Sequence, residues 1–212
     1  MRKYGLLCIL IFATSALLAQ KMPKLGESRE VVINTDEQFI VATVFGETLE
    51  MDVDDHVHYY WFSVNKITCT RGGYSGKLLH GRYTEYYPQN KNLKEMGEFR
   101  YGAKTGVWKT WYEHGELWTM CEWKKGRQHG DYQIFNSSGQ LTSSGTFHKG
   151  YMHGLTTNFR NDSIVDQVWY ENGQQMTTYP GGKKAFRKEL RQSKGNFWER
   201  LKNTFRPRRK KV

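Results

Sequence analysis

Stacked β-hairpins are what this 212-residue chain predicts, a mainly β fold, and three observations carry the prediction. Glycine pairs recur at a fixed step: "GAKTG" (102–106), "GRQHG" (126–130) and "GYMHG" (150–154) lie 24 residues apart, with a looser copy, "GKLLHG", at 76–81. Large side chains recur in step, as an aromatic column at Tyr86, Trp111, Phe135 and Phe159, a leucine column at Leu93, Leu117 and Leu141, and a second aromatic column at Phe99, Trp123 and Phe147. Glycine also punctuates the chain too often for helices, whereas two strands of about seven residues and two turns fill a 24-residue unit. Units of this length cannot bury a face alone and have to stack.

Residues 1–19 read as a secretory signal peptide: Arg2 and Lys3 precede an apolar run from Leu6 to Leu18, and Ala19 is a small residue suited to cleavage. The run is shorter than the ~20 apolar residues of a membrane-spanning helix. Cys8 lies within it behind the bulky Leu7, which argues against lipid attachment. Residues 20–56 form an acidic N-terminal β segment, since 27–58 hold nine acidic residues against one arginine. The hairpin repeats occupy 57–180. Residues 181–212 are a basic tail: thirteen Lys/Arg and two Asp/Glu fall within 183–212, so the net charge of +11 resides there.

Inside one unit, "GVWKTWYEHGELWTMCEWKKG" (106–126), alternation sets Leu117, Thr119, Cys121 and Trp123 on one face and Trp118, Met120, Glu122 and Lys124 on the other. Trp108 and Trp111 are three apart and face opposite ways unless a bulge intervenes. Gly97, Cys121 and Gly145 share a column that calls for small side chains. Cys69 lies about two units from Cys121, roughly 19 Å at the usual strand spacing, beyond the ~7 Å Cα reach of a disulfide; both are expected as packed, free thiols. The last unit is degraded, because Phe159 to Trp169 is two residues shorter than Trp111 to Trp123, and "WYENGQQ" (169–175) starts a final half-unit.

The stretches "GVWKTWYEHGELW", "KKGRQHGDYQIFNSSGQL" and "HKGYMHGLTTNF" resemble the MORN repeat, in the bacterial variant called the YwqK-family antitoxin. The stretch "GGYSGKLLHGRYTEYYPQNKNLKEMGEFRYG" is similar to exported members of Bacteroidetes type. The resemblance covers about 57–180 and implies one elongated, twisted antiparallel sheet of hairpins. Its label implies an antitoxin or immunity protein that neutralises a partner toxin.

Trp108, Trp111 and Trp123 occupy aromatic repeat columns, so packing is their first reading, with large rings suited to a sheet that buries its face without a second layer. An exposed stripe of Trp108, Trp111, Trp118 and Trp123 that binds a partner is the second. His80, His129 and His153 recur before the second glycine of a unit and read as turn residues, because equivalent positions on neighbouring hairpins lie roughly 10 Å apart and cannot share one ion. Asp52, Asp54, His56 and His58 would line one face of a strand, where four ligands cannot converge. "RGGYSGKL" (71–78) has Arg71 where a phosphate-binding loop needs glycine and Leu78 where it needs Ser or Thr. No catalytic constellation stands out, and no metal or cofactor is expected.

In the tail, Asn196 and Glu199 form a capping box and Pro207 stops a short amphipathic helix. Phe197, Trp198, Leu201 and Phe205 make one apolar stripe; Arg200, Lys202 and Arg206 lie opposite, followed by Arg208, Arg209, Lys210 and Lys211. That pattern suits an anionic lipid or lipopolysaccharide surface, and equally a helix that caps the open end of the sheet. The expectation is an exported, non-enzymatic scaffold at the periplasm or cell envelope, peripheral to a membrane, with a protein partner and no nucleic acid. The antitoxin role and a glycan- or lipid-binding module using exposed aromatics are the alternatives.

Overall fold

The computed structural model describes residues 28–176. The leader, residues 20–27 of the acidic segment, residues 177–180 of the repeat region and the tail, with the helix expected there, lie outside the described residues. The chain divides into two compact units, Met1–Arg127 and Gln128–Val212, and both are antiparallel β.

In the first unit, β1 (Ser28–Asn34) and β2 (Phe39–Phe45) make one hairpin, β3 (His58–Ser63) and β4 (Lys66–Arg71) a second. Two repeat hairpins follow, β5 (Lys77–Tyr86) with β6 (Leu93–Arg100), and β7 (Ala103–Trp111) with β8 (Leu117–Lys124). The sheet runs β1-β2-β5-β6-β7-β8, and β3 attaches to β5 through Trp61–Leu78 and Phe62–Lys77. The first glycine of a pair makes the turns: Tyr101 and Gly102, then Lys125 and Gly126, take left-handed conformations (φ 52° and 73°, 51° and 74°). Two such residues in succession form the mirror-image turn whose twist matches antiparallel strands. Each turn also ties back to an earlier strand, with Gly102 N–H donating to Leu79 O at 2.8 Å and Gly126 N–H to Lys104 O at 2.9 Å.

Leu78 and Leu79 are adjacent and both fully buried, because the first unit packs both faces of β5. On one face Ile33, Ile40, Ala42, Val44, Leu79, Tyr83, Phe99 and Trp108 form a cluster, and Tyr60, Phe62 and Ile67 of the β3–β4 hairpin pack against it. That hairpin is a second layer, which corrects the expectation of a sheet without one. On the other face Phe45, Val57, Tyr59, Leu78 and Ala103 cluster with Leu49 and Met51 from the connection after β2. The acidic stretch within that connection is a turn and not the expected strand: His56 N–H donates to Asp54 Oδ1 at 2.9 Å, and Asp54 pairs with Arg127 at 2.9 Å. Consecutive polar groups here bond to the backbone and compete with a ladder.

The second unit holds β9 (Arg127–Phe135, entered from the first), β10 (Leu141–His148), the short β11 (Tyr151–Met152), β12 (Gly154–Arg160), β13 (Ser163–Glu171) and β14 (Gln174–Met176), ordered β9-β10-β12-β13-β14 with β11 on β10. Lys149 and Gly150 repeat the left-handed pair, and Gly150 N–H donates to Gln128 O at 2.8 Å. The shortened last unit has a simple cause. Asn161 and Asp162 (φ 49° and 59°) close β12 onto β13 in two residues, where Asn136–Gln140 spans the equivalent gap with a longer loop. The Asn172–Gly173 turn then adds β14 as the half-unit.

Repeat columns reappear as cross-strand pairs. Tyr83 faces Gly97, Trp108 faces Cys121 and Tyr132 faces Gly145; Tyr86 faces Leu93, Trp111 faces Leu117 and Phe135 faces Leu141. The small-residue column exists because rings lie over it: a Cβ on Gly97 would sit 2.3 Å from ring atoms of Trp108. A bulge does intervene between Trp108 and Trp111, at Thr110/Trp111 in the β7–β8 ladder, so that both face the same side; a second, between Met96 and Glu98 in the β6–β7 ladder, precedes them. No disulfide joins Cys69 and Cys121; Cys121 is buried as expected, whereas Cys69 is exposed, which corrects the expectation of a packed thiol there.

Candidate interaction surface

Register places one residue from each of six adjacent strands in a row: Val32 pairs with Val41, Val41 with Thr84, Thr84 with Met96, Met96 with Lys109, and Lys109 with Met120. Directly opposed residues share a face, so this row spans the first unit's sheet, about 24 Å at ~4.8 Å per strand. It is the face away from the Ile33–Trp108 cluster. Val32 is 54% exposed and Met96 40%, and Val107, lifted by the bulge and paired with Glu122, is 47% exposed. Lys109 sits between Met96 and Met120, where loss of water holds its ammonium below the ordinary lysine value. Among the described residues it forms no ion pair.

The four tryptophans separate. Trp108 is 3% exposed and belongs to the core cluster; its indole N–H donates to Glu98 O and Thr105 O, both at 3.2 Å. That removes it from the expected stripe. Trp123 packs half-buried against the same cluster, and Trp111 is half-buried opposite Leu117, its carbonyl accepting the Tyr87 hydroxyl at 2.9 Å. Trp118, 46% exposed, stands at the bulge with its ring 5.6 Å from Tyr112, which stacks on His114 at 5.4 Å. Of the four, Trp118 is the one that is exposed.

Between Trp108 and Trp123 lies the ammonium of Lys104, 3.8 Å from the first ring centre and 5.3 Å from the second, and 2.6 Å from Glu95 Oε1. In the flanking copies the corresponding rings touch each other, Tyr83 with Phe99 at 5.4 Å and Tyr132 with Phe147 at 4.9 Å. Between Trp108 and Trp123 a caged, paired cation therefore takes the place of direct ring contact, while Trp108 itself packs on Phe99 with ring centres 4.8 Å apart.

The histidines of the glycine pairs latch turns. Tyr101 N–H donates to His80 Nδ1 at 3.3 Å and Lys149 N–H to His129 Nδ1 at 3.5 Å. His80 is packed on Phe45 and Tyr101 (ring centres 4.3 and 5.0 Å), and burial, then Arg100, pushes its pKa down. His129 instead meets His148, with ring centres at 5.1 Å, and His148 meets His153 at 5.7 Å. His148 was outside the periodic pattern, so spacing alone overlooked this contact.

Sequence reasoning also passed over Met96, Val107, Lys109 and Met120 as a joint surface, because its columns follow the packed side of each strand. Reading the residues between the columns would have exposed them. The candidate anionic-surface residues, Phe197, Trp198, Arg200, Leu201, Lys202, Phe205, Arg206, Arg208, Arg209, Lys210 and Lys211, lie outside the described residues. Among described residues no three metal-ligating side chains converge as placed, and no helix is long and apolar enough to cross a membrane.

Residues 104–125, the β7–β8 hairpin and its following turn, match the MORN repeat variant, which supports a MORN-repeat protein. Such repeats are generally modules for protein or membrane interaction. No curated protein is significantly similar to the chain.

Proposed function

We propose that this chain is an exported, non-enzymatic scaffold of the cell envelope that binds a protein partner on the Val32–Met120 face and holds to an anionic surface through its basic tail. The observation that carries the first half is the row of Met96, Lys109 and Met120 beside Val107, an apolar strip with an unpaired, partly dehydrated cation at its centre. A partner surface that brings apolar side chains and a carboxylate would bury the strip and restore the ion pair, both favourable. Trp118 and Tyr112 add aromatic area at one end. The leader-like residues 1–19 support export. The YwqK-like stretches support a second reading, in which the bound partner is a toxin that the face blocks.

The test of the face is affinity capture from envelope extract by the full mature chain and by Met96→Asp, which puts a second carboxylate on an exposed position. A partner retained by the first and lost with the second, at unchanged strand content by circular dichroism, is the expected result. Identical capture by both refutes the face. The tail is tested by truncation after Gly182 and co-sedimentation with anionic vesicles. Each Lys or Arg near such a surface contributes ~1 kcal/mol, so the truncated chain should lose nearly all binding at physiological salt. Equal sedimentation refutes the anchor, and loss of strand signal on truncation identifies the tail as a cap.

A further inference from the structure

The outermost strand of the first unit's sheet, β1 (Ser28–Asn34), pairs with β2 alone among the described residues, and that ladder runs its whole length without a bulge. The Thr35 N–H donates to Gln38 O at 2.8 Å and closes the β1–β2 turn. Counting back from that bonded pair, Ile33, Val31 and Arg29 spend their backbone groups on β2, because bonded and non-bonded pairs alternate in an antiparallel ladder. The N–H and C=O of Glu30, Val32 and Asn34 therefore point away from the sheet. Val32 is 54% exposed, and the strand has neither the proline nor the lysine that commonly blunts such an edge. Other open edges are better defended: β14 has three residues, and β4 begins with Lys66 and ends with Arg71.

We propose that β1 is a self-pairing edge, along which two copies of this chain join antiparallel with Val32 set against Val32 of the second copy. Outward groups bond only to outward groups, so across a two-fold axis even-numbered residues face even-numbered ones. That leaves a short choice of registers. With Glu30 on the axis two carboxylates oppose each other, which is unfavourable. With Val31 on the axis, Val32 lies against the charged Glu30 and Ile33 against Arg29; with Ile33 on the axis, Glu30 meets Asp36. With Val32 on the axis, Val32 meets Val32, Glu30 meets the Asn34 amide, and on the core side half-buried Val31 meets Ile33. Every pair then matches in polarity, and Glu30, Val32 and Asn34 of each copy gain partners for both backbone groups. The match is between the strand and its own reverse, which makes a second copy the occupant. On the outer face the Val32–Met120 rows of the two copies run on into one another, an arrangement that stands whether or not that face binds a further partner. Pairing over Glu30–Asn34 buries less than the ~1,600 Å² of a standard interface, so the dimer is weak and depends on concentration.

The experiment is sedimentation equilibrium of the full mature chain at physiological salt, accompanied by NMR hydrogen exchange at several protein concentrations. The expected result is a monomer–dimer equilibrium with a dissociation constant of about 10–100 μM, the amides of Glu30, Val32 and Asn34 exchanging more slowly as dimer forms. Val32→Lys sets two ammonium groups against each other on the axis and should weaken association at least tenfold, at unchanged circular dichroism because the side chain is exposed. Register is read by air oxidation on a Cys69→Ser background. Val32→Cys brings its two Cα atoms within the ~7 Å reach of a disulfide and should cross-link the copies, whereas Glu30→Cys leaves them about 13 Å apart along the strands and should not. A chain that stays monomeric at about 1 mM overturns the proposal. So does a dimer indifferent to Val32→Lys, equal cross-linking at both positions, or protection confined to β4 or β14. Protection at Glu30, Val32 and Asn34 that ignores concentration, as a strand from the same chain would give, overturns it as well. Exchange in the unaltered chain decides the matter even if a variant folds poorly.

Discussion

The two units use the same repeat and bury different things. In the first, the ring column carries Tyr83 and Trp108 into a core with Ile33, Ile40, Val44 and Leu79, under the β3–β4 hairpin, which stands off the main strand order. In the second, Tyr132 and Phe135 are buried with the polar Gln133, Thr156 and Thr157, while Ile164 and Val165 stay exposed. Backbone features carry over unchanged: the left-handed turn pair, the hydrogen bond back to an earlier strand and the ring facing a small residue recur in both. Depth does not carry over, because the repeat codes for a hairpin and the residues at 39–71 supply the layers on either side.

The largest expected effect is at the ring column. Trp108→Ala should cost about 3–5 kcal/mol, since a fully buried indole leaves a cavity walled by the β3–β4 hairpin. Tyr132→Ala should cost roughly 2 kcal/mol, because less of its surroundings is rigid. Urea unfolding of each variant measures both, and equal losses would erase the distinction between the units.

Next come the glycines beneath the rings. Gly97→Ala drives a methyl to 2.3 Å from the Trp108 ring, which the core cannot move aside, so about 2–3 kcal/mol should be lost. At Gly145 the added carbon meets Tyr132 Cε1 and Thr156 Oγ1 at 2.8 Å, and a tyrosine in a thinner core can yield; about 1 kcal/mol is expected. A larger loss at Gly145 would mean that the second unit is as rigid as the first.

The turn glycines give a narrower contrast of the same kind. Gly102 and Gly150 both have left-handed φ (73° and 91°), which alone should cost an alanine about 1 kcal/mol. At Gly150 nothing else stands within 4 Å, whereas at Gly102 the new carbon lies 2.5 Å from Leu78 Cδ2. Thermal melts should therefore rank Gly102→Ala well below Gly150→Ala, and similar melting points would remove the clash from the argument.

The smallest effect expected is the pH response of His80. Its pKa is lowered in the folded chain, so below the ordinary imidazole value of about 6.5 the unfolded chain takes up the proton first and stability falls. The contribution is complete above that value and is lost as pH falls to the folded pKa. Melting points between pH 7.5 and 5.5 should decline, and His80→Gln, whose side-chain oxygen still accepts the Tyr101 N–H, should flatten the decline. A slope unchanged by that substitution would assign it to other groups.

Much of the backbone was legible beforehand. Glycine spacing locates the turns, the three-residue separation of Trp108 and Trp111 leaves a choice between opposite faces and a bulge that the ladder resolves as a bulge, and the Gly97–Cys121–Gly145 column calls for small side chains, as the rings above it require. Less of the surface was legible. Of the strand expected over Asp52–His58 only His58, the first residue of β3, is extended; Asp52–Val57 is a connection and turn in which Asp54 bonds the backbone of His56, a competition that alternation does not register. Trp108 stood among the candidate partner-binding rings on residue type alone, and packing withdrew it. Met96, Lys109 and Met120 are ordinary residues in three strands, and His148 obeys no period; both groupings arise from pairing.

Local chemistry suffices for turns, strands and periodic columns, since each depends on residues a few positions apart and on the handedness of the backbone. Faces, layers and clusters depend on register between strands and on which segment folds over which. Those choices follow from burying apolar area across the whole unit, a sum that no single repeat contains, and they are what separated the core tryptophan from the exposed one and set His148 between His129 and His153.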